Sequence, residues 1–173
     1  EFDRLTSSQE LKDAEKIRHE LGQIEQKITR LRAEATSAIS SLQRPFKKMK
    51  KLALDGKYPL SRDKLGVLDL SIEEPLNAFL SDEVNLPKLT VVLEDAKRAV
   101  ESGEVELNPR ERKKRLVQIK SMLDGRLPEL RQSYERALVE RATKEEAYTS
   151  STVLKKKVEL EKSLGTHRSE LEG

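Results

Sequence analysis

Residues 11–42 read LKDAEKIRHELGQIEQKITRLRAEATSAISSL, and the fold follows from how the apolar and small members of this stretch are spaced. Leu11, Ala14, Ile17, Leu21, Ile24, Ile28, Leu31, Ala35, Ala38 and Leu42 recur in steps of three and four, a heptad seam sustained for more than four repeats. Glu, Lys, Arg, Gln, Ser and Thr fill most of the positions between them, so the helix has one narrow apolar stripe and is largely solvated elsewhere. Such a helix needs a partner over its stripe.

The end of the chain supplies one. Leu127, Leu130, Tyr134, Ala137, Leu138, Ala142, Tyr148, Thr152, Val158 and Leu164 form a thinner seam. Counted back from Pro45 to Gln9 and forward from Pro128 to Leu164, each arm has about 37 residues, roughly 55 Å of helix. Arms of equal length on either side of one insert predict an antiparallel hairpin. Opposing small to large residues sets its register near i + j = 172, with Leu42 beside Leu130, Ala38 beside Tyr134, Ile24 beside Tyr148 and Ala14 beside Val158. The thin stretch from Arg141 to Lys144 leaves pairing between two molecules as the alternative.

Between the arms, prolines and glycines mark short helices. Pro45 interrupts the first arm, and the next segment stops at Gly56. Ser61 caps a helix to about Leu70, and Ser71 with Glu74 reads as a capping box ahead of Leu76 and Phe79. Asn85-Leu86-Pro87 opens a longer helix that stops at Gly103. Glu104 to Leu107 alternates like a very short strand. Asn108-Pro109 then starts a helix that ends or bends at Asp124-Gly125 before Leu127-Pro128 restarts it. The reading is an all-α chain: a two-helix coiled-coil stalk with residues 1–44 and 126–173 as its arms, and a helical head domain, 45–125, inserted between them. The head core is expected at Leu52, Leu65, Leu68, Leu76, Phe79, Leu80, Leu89, Leu93, Leu116 and Ile119.

Composition sets the function classes. With 3% aromatic and 38% charged residues the chain cannot fill a large core, which suits long helices with narrow seams. There is no cysteine, so disulfides, thiolate metal sites and a cysteine nucleophile are excluded. The two histidines, His19 and His167, have no ligand cluster at metal-binding spacing, and the seven glycines are scattered as helix stops rather than gathered in a phosphate loop. No apolar run reaches the roughly 20 residues that span a bilayer. These features predict no enzyme activity, no cofactor, no metal, no small-molecule substrate, no membrane insertion and a cytoplasmic location. The abrupt ends at Glu1 and Gly173 suggest a segment of a longer chain.

Charge is the feature that stands out. Arg44, Lys47, Lys48, Lys50, Lys51 and Lys57, against Asp55, and Arg110, Arg112, Lys113, Lys114 and Arg115, against Glu111, occupy the two helices that join the head to the arms. Residues 58–107 carry 5 basic and 11 acidic side chains, a balance of −6. An acidic head above a basic collar offers two readings of the collar. Its cations either neutralise the head or contact a phosphate backbone. Phe46 and Tyr58, the aromatic residues at hand for base stacking, are expected in the core.

The seam from Ala14 to Leu42 and the returning arm from Leu127 to Leu164, flanking a compact insert, resemble a coiled-coil arm segment of chromosome-maintenance ATPases of the SMC and Rad50 kind. The chain has no Cys-x-x-Cys hook, glycine-rich hinge signature or ATPase motif. What the resemblance implies is an architectural role beside DNA. The expected function is therefore a structural or protein-interaction module that binds a protein partner or a second copy, with non-specific DNA binding or bridging through the collar as the alternative.

Overall fold

A computed structural model describes residues 2–150 and 159–165, and every regular element among them is helical. In chain order these are α1 (Phe2–Ser40), α2 (Gln43–Leu54), α3 (Arg62–Glu73), α4 (Pro75–Leu80), α5 (Pro87–Glu101), α6 (Pro109–Ser121), a π-helical turn (Met122–Arg126) and α7 (Leu127–Thr149). The chain divides into two compact units, one of residues 1–28 and 136–173, the other of residues 29–135. The second unit thus takes in the end of α1 and the start of α7, stretches that the sequence reading gives to the arms.

Local chemistry explains most of the boundaries. α1 stops three residues before α2 begins, and Pro45 lies in the first turn of α2, where a missing amide costs little. Ser61 accepts from the Lys64 amide at 3.2 Å to cap α3, and Asn108 accepts from the Glu111 amide at 2.8 Å to cap α6, with Pro109 as the first helical residue. Gly56, Gly103 and Gly125 take φ of 71°, 81° and 131°, closing α2 and α5 and bending the chain between α6 and α7.

Two expectations fail. Ser71 caps nothing. α3 runs through it to Glu73, and its buried hydroxyl donates to the Val67 carbonyl at 2.8 Å. The break comes instead at Glu74, pushed to φ −138° and ψ 71° by the proline that follows. Residues 104–107 form no strand, since the Val105 amide bonds back to the Ala99 carbonyl as part of the α5 stop and no second strand lies beside them. The longer helix does open at Pro87, but its cap is not local. The residue before Pro87 is Leu86, left-handed at φ 50° with its side chain buried, and the cap comes from Asp82, whose Oδ2 accepts from the Leu89 amide at 2.9 Å while Oδ1 accepts from Glu83.

The unit of residues 29–135 has its own core. α5 runs through it with seven buried residues, Leu89, Val92, Leu93, Asp95, Ala96, Ala99 and Val100, and packs on α2, α3, α6 and the π turn. Of the expected core, Leu68, Phe79, Leu89, Leu93 and Ile119 are buried, whereas Leu52, Leu65, Leu76, Leu80 and Leu116 are only half-buried. Phe46, Met49, Leu42, Ile39, Val105 and Met122 complete it. Phe79 is sealed by Tyr134, edge-on at 6.4 Å, and by the buried Arg131, whose guanidinium lies 5.7 Å from the ring centre and donates to the Phe79 carbonyl.

In the other unit, Ala14, Ile24 and Ile28 are buried along α1, whereas Leu11, Leu160 and Leu164 are exposed. The seam residues Thr152 and Val158 lie outside the described residues. Two ion pairs join α1 to α7, Glu25 with Arg141 at 3.2 Å and Glu20 with Lys144 at 2.6 Å. Their order is antiparallel, and their position numbers total 166 and 164 rather than 172, about two helical turns from the expected register. The cause is that Arg141 and Lys144 sit on the seam side of α7. Each is about a third exposed, so their aliphatic stems line the helix contact and their charged ends reach out to Glu25 and Glu20. The hydrogen bond from Lys144 holds the Glu20 carboxyl below the usual range, helped by the charges of Lys144, Lys16 and His19 against the cost of burial. That contribution is present above the ordinary carboxylate pKa and is lost as pH falls through the lowered one.

Because the chain has no cysteine, paired cysteines report the register directly. Glu20→Cys with Lys144→Cys should cross-link within one chain through a short bismaleimide, whereas Ile24→Cys with Tyr148→Cys should not. The opposite yields would restore the 172 register. Phe79→Ala should lower stability by about 3 to 5 kcal/mol in urea titration, as expected for a fully buried aromatic residue, and an unchanged midpoint would remove Phe79 from the core.

Candidate functional site

Apart from Lys57, the two basic runs lie on α2 and α6. Arg44 donates from Nη1 to Oε2 of Glu111 at 2.8 Å, and Arg115 approaches the other oxygen of the same carboxylate at 3.7 Å. One arginine from each run therefore converges on a single acid, which is drawn inward to 12% side-chain exposure. Glu111 is also the third residue of α6, where the helix dipole favours a carboxylate.

The remaining cations divide by what they touch. Lys50 points away to α3, where it pairs with Asp69, whose hydrogen bond raises the ammonium pKa. Lys48 donates to the Glu106 carbonyl and Arg112 to the Glu101 carbonyl, contacts that fix the side chains without neutralising their charge. Lys47, Lys51, Arg110, Lys113 and Lys114 are exposed. Among the described residues, only Lys50 of these eight has a carboxylate within bridging distance: the ion pairs of this face are Arg44 and Arg115 with Glu111, and Lys50 with Asp69. All ten expected collar residues thus lie on α2 and α6; nine have no acid of their own beyond the shared Glu111, and Lys50 pairs with Asp69 of α3.

The aromatic residues nearest this face are not free to stack. Phe46 is fully buried, and Tyr58 is half-buried with its hydroxyl donating to the Asp95 carbonyl at 3.4 Å. Burial raises the Tyr58 phenol pKa, as do the charges of Asp95 and Glu104, while Arg98 opposes them. Asp95 itself is buried and held by Lys64 at 3.0 Å and Arg98 at 2.9 Å, both from residues 58–107.

A second feature was not legible in the pattern of motifs. Between α3, α4 and α5 lies a groove of about 750 Å³ with Val67, Leu70, Ala78 and Val91 on its walls and Arg62 and Lys88 at its rim. Gly66 also lines it, in the middle of α3, and a Cβ built there meets nothing within 4 Å. A glycine inside a helix costs about 0.5–1 kcal/mol relative to alanine, and no packing among the described residues explains it. That unexplained glycine was the available sequence signal.

His19 is exposed on α1, and His167 lies outside the described residues. Among the described residues no group of three or more histidine, cysteine, aspartate or glutamate side chains is placed to hold a metal ion, and no helix is long and apolar enough to cross a membrane. No protein-family model, curated protein or solved structure matches the chain.

Glu111→Gln leaves Arg44 and Arg115 facing one another without their acid. Stability measured by urea titration should fall by about 1 kcal/mol, more than for an exposed pair and less than for a fully buried one. A change within error would show that Glu111 does not tie α2 to α6.

Proposed function

We propose that this chain is a non-enzymatic structural and protein-interaction module, in which the arms pair as an antiparallel coiled-coil stalk and present the helical unit as a head. The interhelical ion pairs of Glu20 and Glu25 support the pairing of the arms. An architectural role is also what the resemblance of the arms to SMC-type coiled coils implies.

The α3–α4–α5 groove is the observation that carries the interaction reading. Its occupant is an amphipathic helix of a partner protein with carboxylates flanking the apolar face. The walls supply apolar contact at Val67, Leu70 and Val91, the last 37% exposed. Gly66 lets a second helix approach closely. At the rim Arg62 and Lys88 have no ion-pair partner among the described residues, Asp82 spends its carboxylate on two backbone amides, and Asp63 is the exposed acid that remains.

Substitution of a photo-cross-linking phenylalanine analogue at Val91 or Lys88, with exposed Val139 on α7 as the control, tests this in cells of the source organism. The groove positions should give one discrete adduct, mapping to an acid-flanked amphipathic helix, and Gly66→Leu should abolish it. Gly66→Ala should raise stability by about 0.5–1 kcal/mol while weakening the adduct. Equal adducts from Val139, or none from the groove, would overturn the reading.

A further inference from the structure

The collar carries a second inference, independent of the groove. Its cations have two explanations, neutralising the acidic stretch 58–107 or meeting an external polyanion. Under the first, the collar should be stitched to those acids. A single pair does so, Lys50 with Asp69. The buried Asp95 draws its cations from within the stretch, and Lys48 and Arg112 donate to backbone carbonyls, not to carboxylates. Internal neutralisation therefore leaves most of the collar charge uncompensated.

The placement of what remains is not scattered. Lys47 and Lys51 lie one turn apart on an exposed face of α2 that also carries Arg44, itself paired with Glu111, and Arg110, Lys113 and Lys114 share one turn of α6. The Arg44–Glu111 bridge fastens the two helices together, and it withdraws the one acid of residues 110–115 from the surface.

We propose that these two helix faces form a sequence-independent grip on the phosphate backbone of double-stranded DNA. An anionic membrane is the competing polyanion. A basic helix that lies on a membrane buries its apolar face in the lipid, but here Pro45, Phe46 and Met49 of α2 are committed to the protein core. A single strand would be gripped partly by stacked aromatic residues, and Phe46 and Tyr58 are turned inward. Lysine and arginine alone, without stacking or groove readout, fit a duplex recognised by its charge.

The test is fluorescence anisotropy of the full chain with a labelled random-sequence duplex of about 30 base pairs at salt from about 50 to 200 mM. Affinity should fall steeply with salt, with a log–log slope of about 0.9 per phosphate contacted. Lys47→Glu, Lys51→Glu, Lys113→Glu and Lys114→Glu together should weaken binding at least 30-fold and flatten the slope. Lys12→Glu, Lys16→Glu, Lys27→Glu and Arg30→Glu, an equal charge change on α1, should cost less than 3-fold. The same four collar lysines changed to glutamine should also lose binding, with the helical circular dichroism and melting midpoint retained. Equal weakening by the collar and α1 sets, unchanged binding in the collar variants, or tighter binding to phosphatidylserine vesicles than to the duplex would each overturn the proposal.

Discussion

The helical unit depends on burying α5. A chain with few aromatic residues has little apolar surface to spare, so one helix surrounded by others does what a larger core does elsewhere. Seven of the fifteen residues of α5 are buried, and α2, α3, α6 and the π turn each cover part of it. A helix so enclosed cannot leave its first amides to water. Asp82, seven residues upstream of Leu89, supplies the missing acceptor, and Leu86 accepts a left-handed backbone because its side chain goes into the core. The start of α5 is therefore held from outside the helix, whereas α3 and α6 start on caps in their own sequence.

That difference explains what was legible. Ser61, Asn108-Pro109, Pro45 and the glycines at 56, 103 and 125 act on their immediate neighbours, so sequence spacing reveals them. Ser71 carries the same local signal as Ser61, but packing buried it inside α3 and turned its hydroxyl onto a carbonyl one turn back. The half-buried leucines 52, 65, 76, 80 and 116 look like core by type alone, and only the enclosing helices decide that Phe46, Met49 and Val105 go deeper. Register failed for a related reason. Arg141 and Lys144 break an apolar seam on paper, yet in the helix pair their stems occupy it and their ends find acids on α1.

For the collar, composition gave both runs of cations but not their partners. The balance of charge in residues 58–107 invites the idea that opposite signs cancel across the fold. Geometry limits this, because Asp95 is satisfied locally and Glu111 serves two arginines at once. The groove between α3, α4 and α5 was legible only as a glycine without a structural excuse.

The join between α6 and α7 constrains how the gene can change length. Five residues in a π turn, one of them Gly125 at φ 131°, set the rotational phase with which α7 leaves α6. Inserting one codon there would rotate α7 by about 100°, carrying Leu127 and Leu130 off the core. Inserting four would bring almost the same face back, at the expense of about one turn of slippage. Length differences among descendants of this gene should therefore be rare at 122–126 and common in the exposed loop around Pro59, where no helix inherits the phase error.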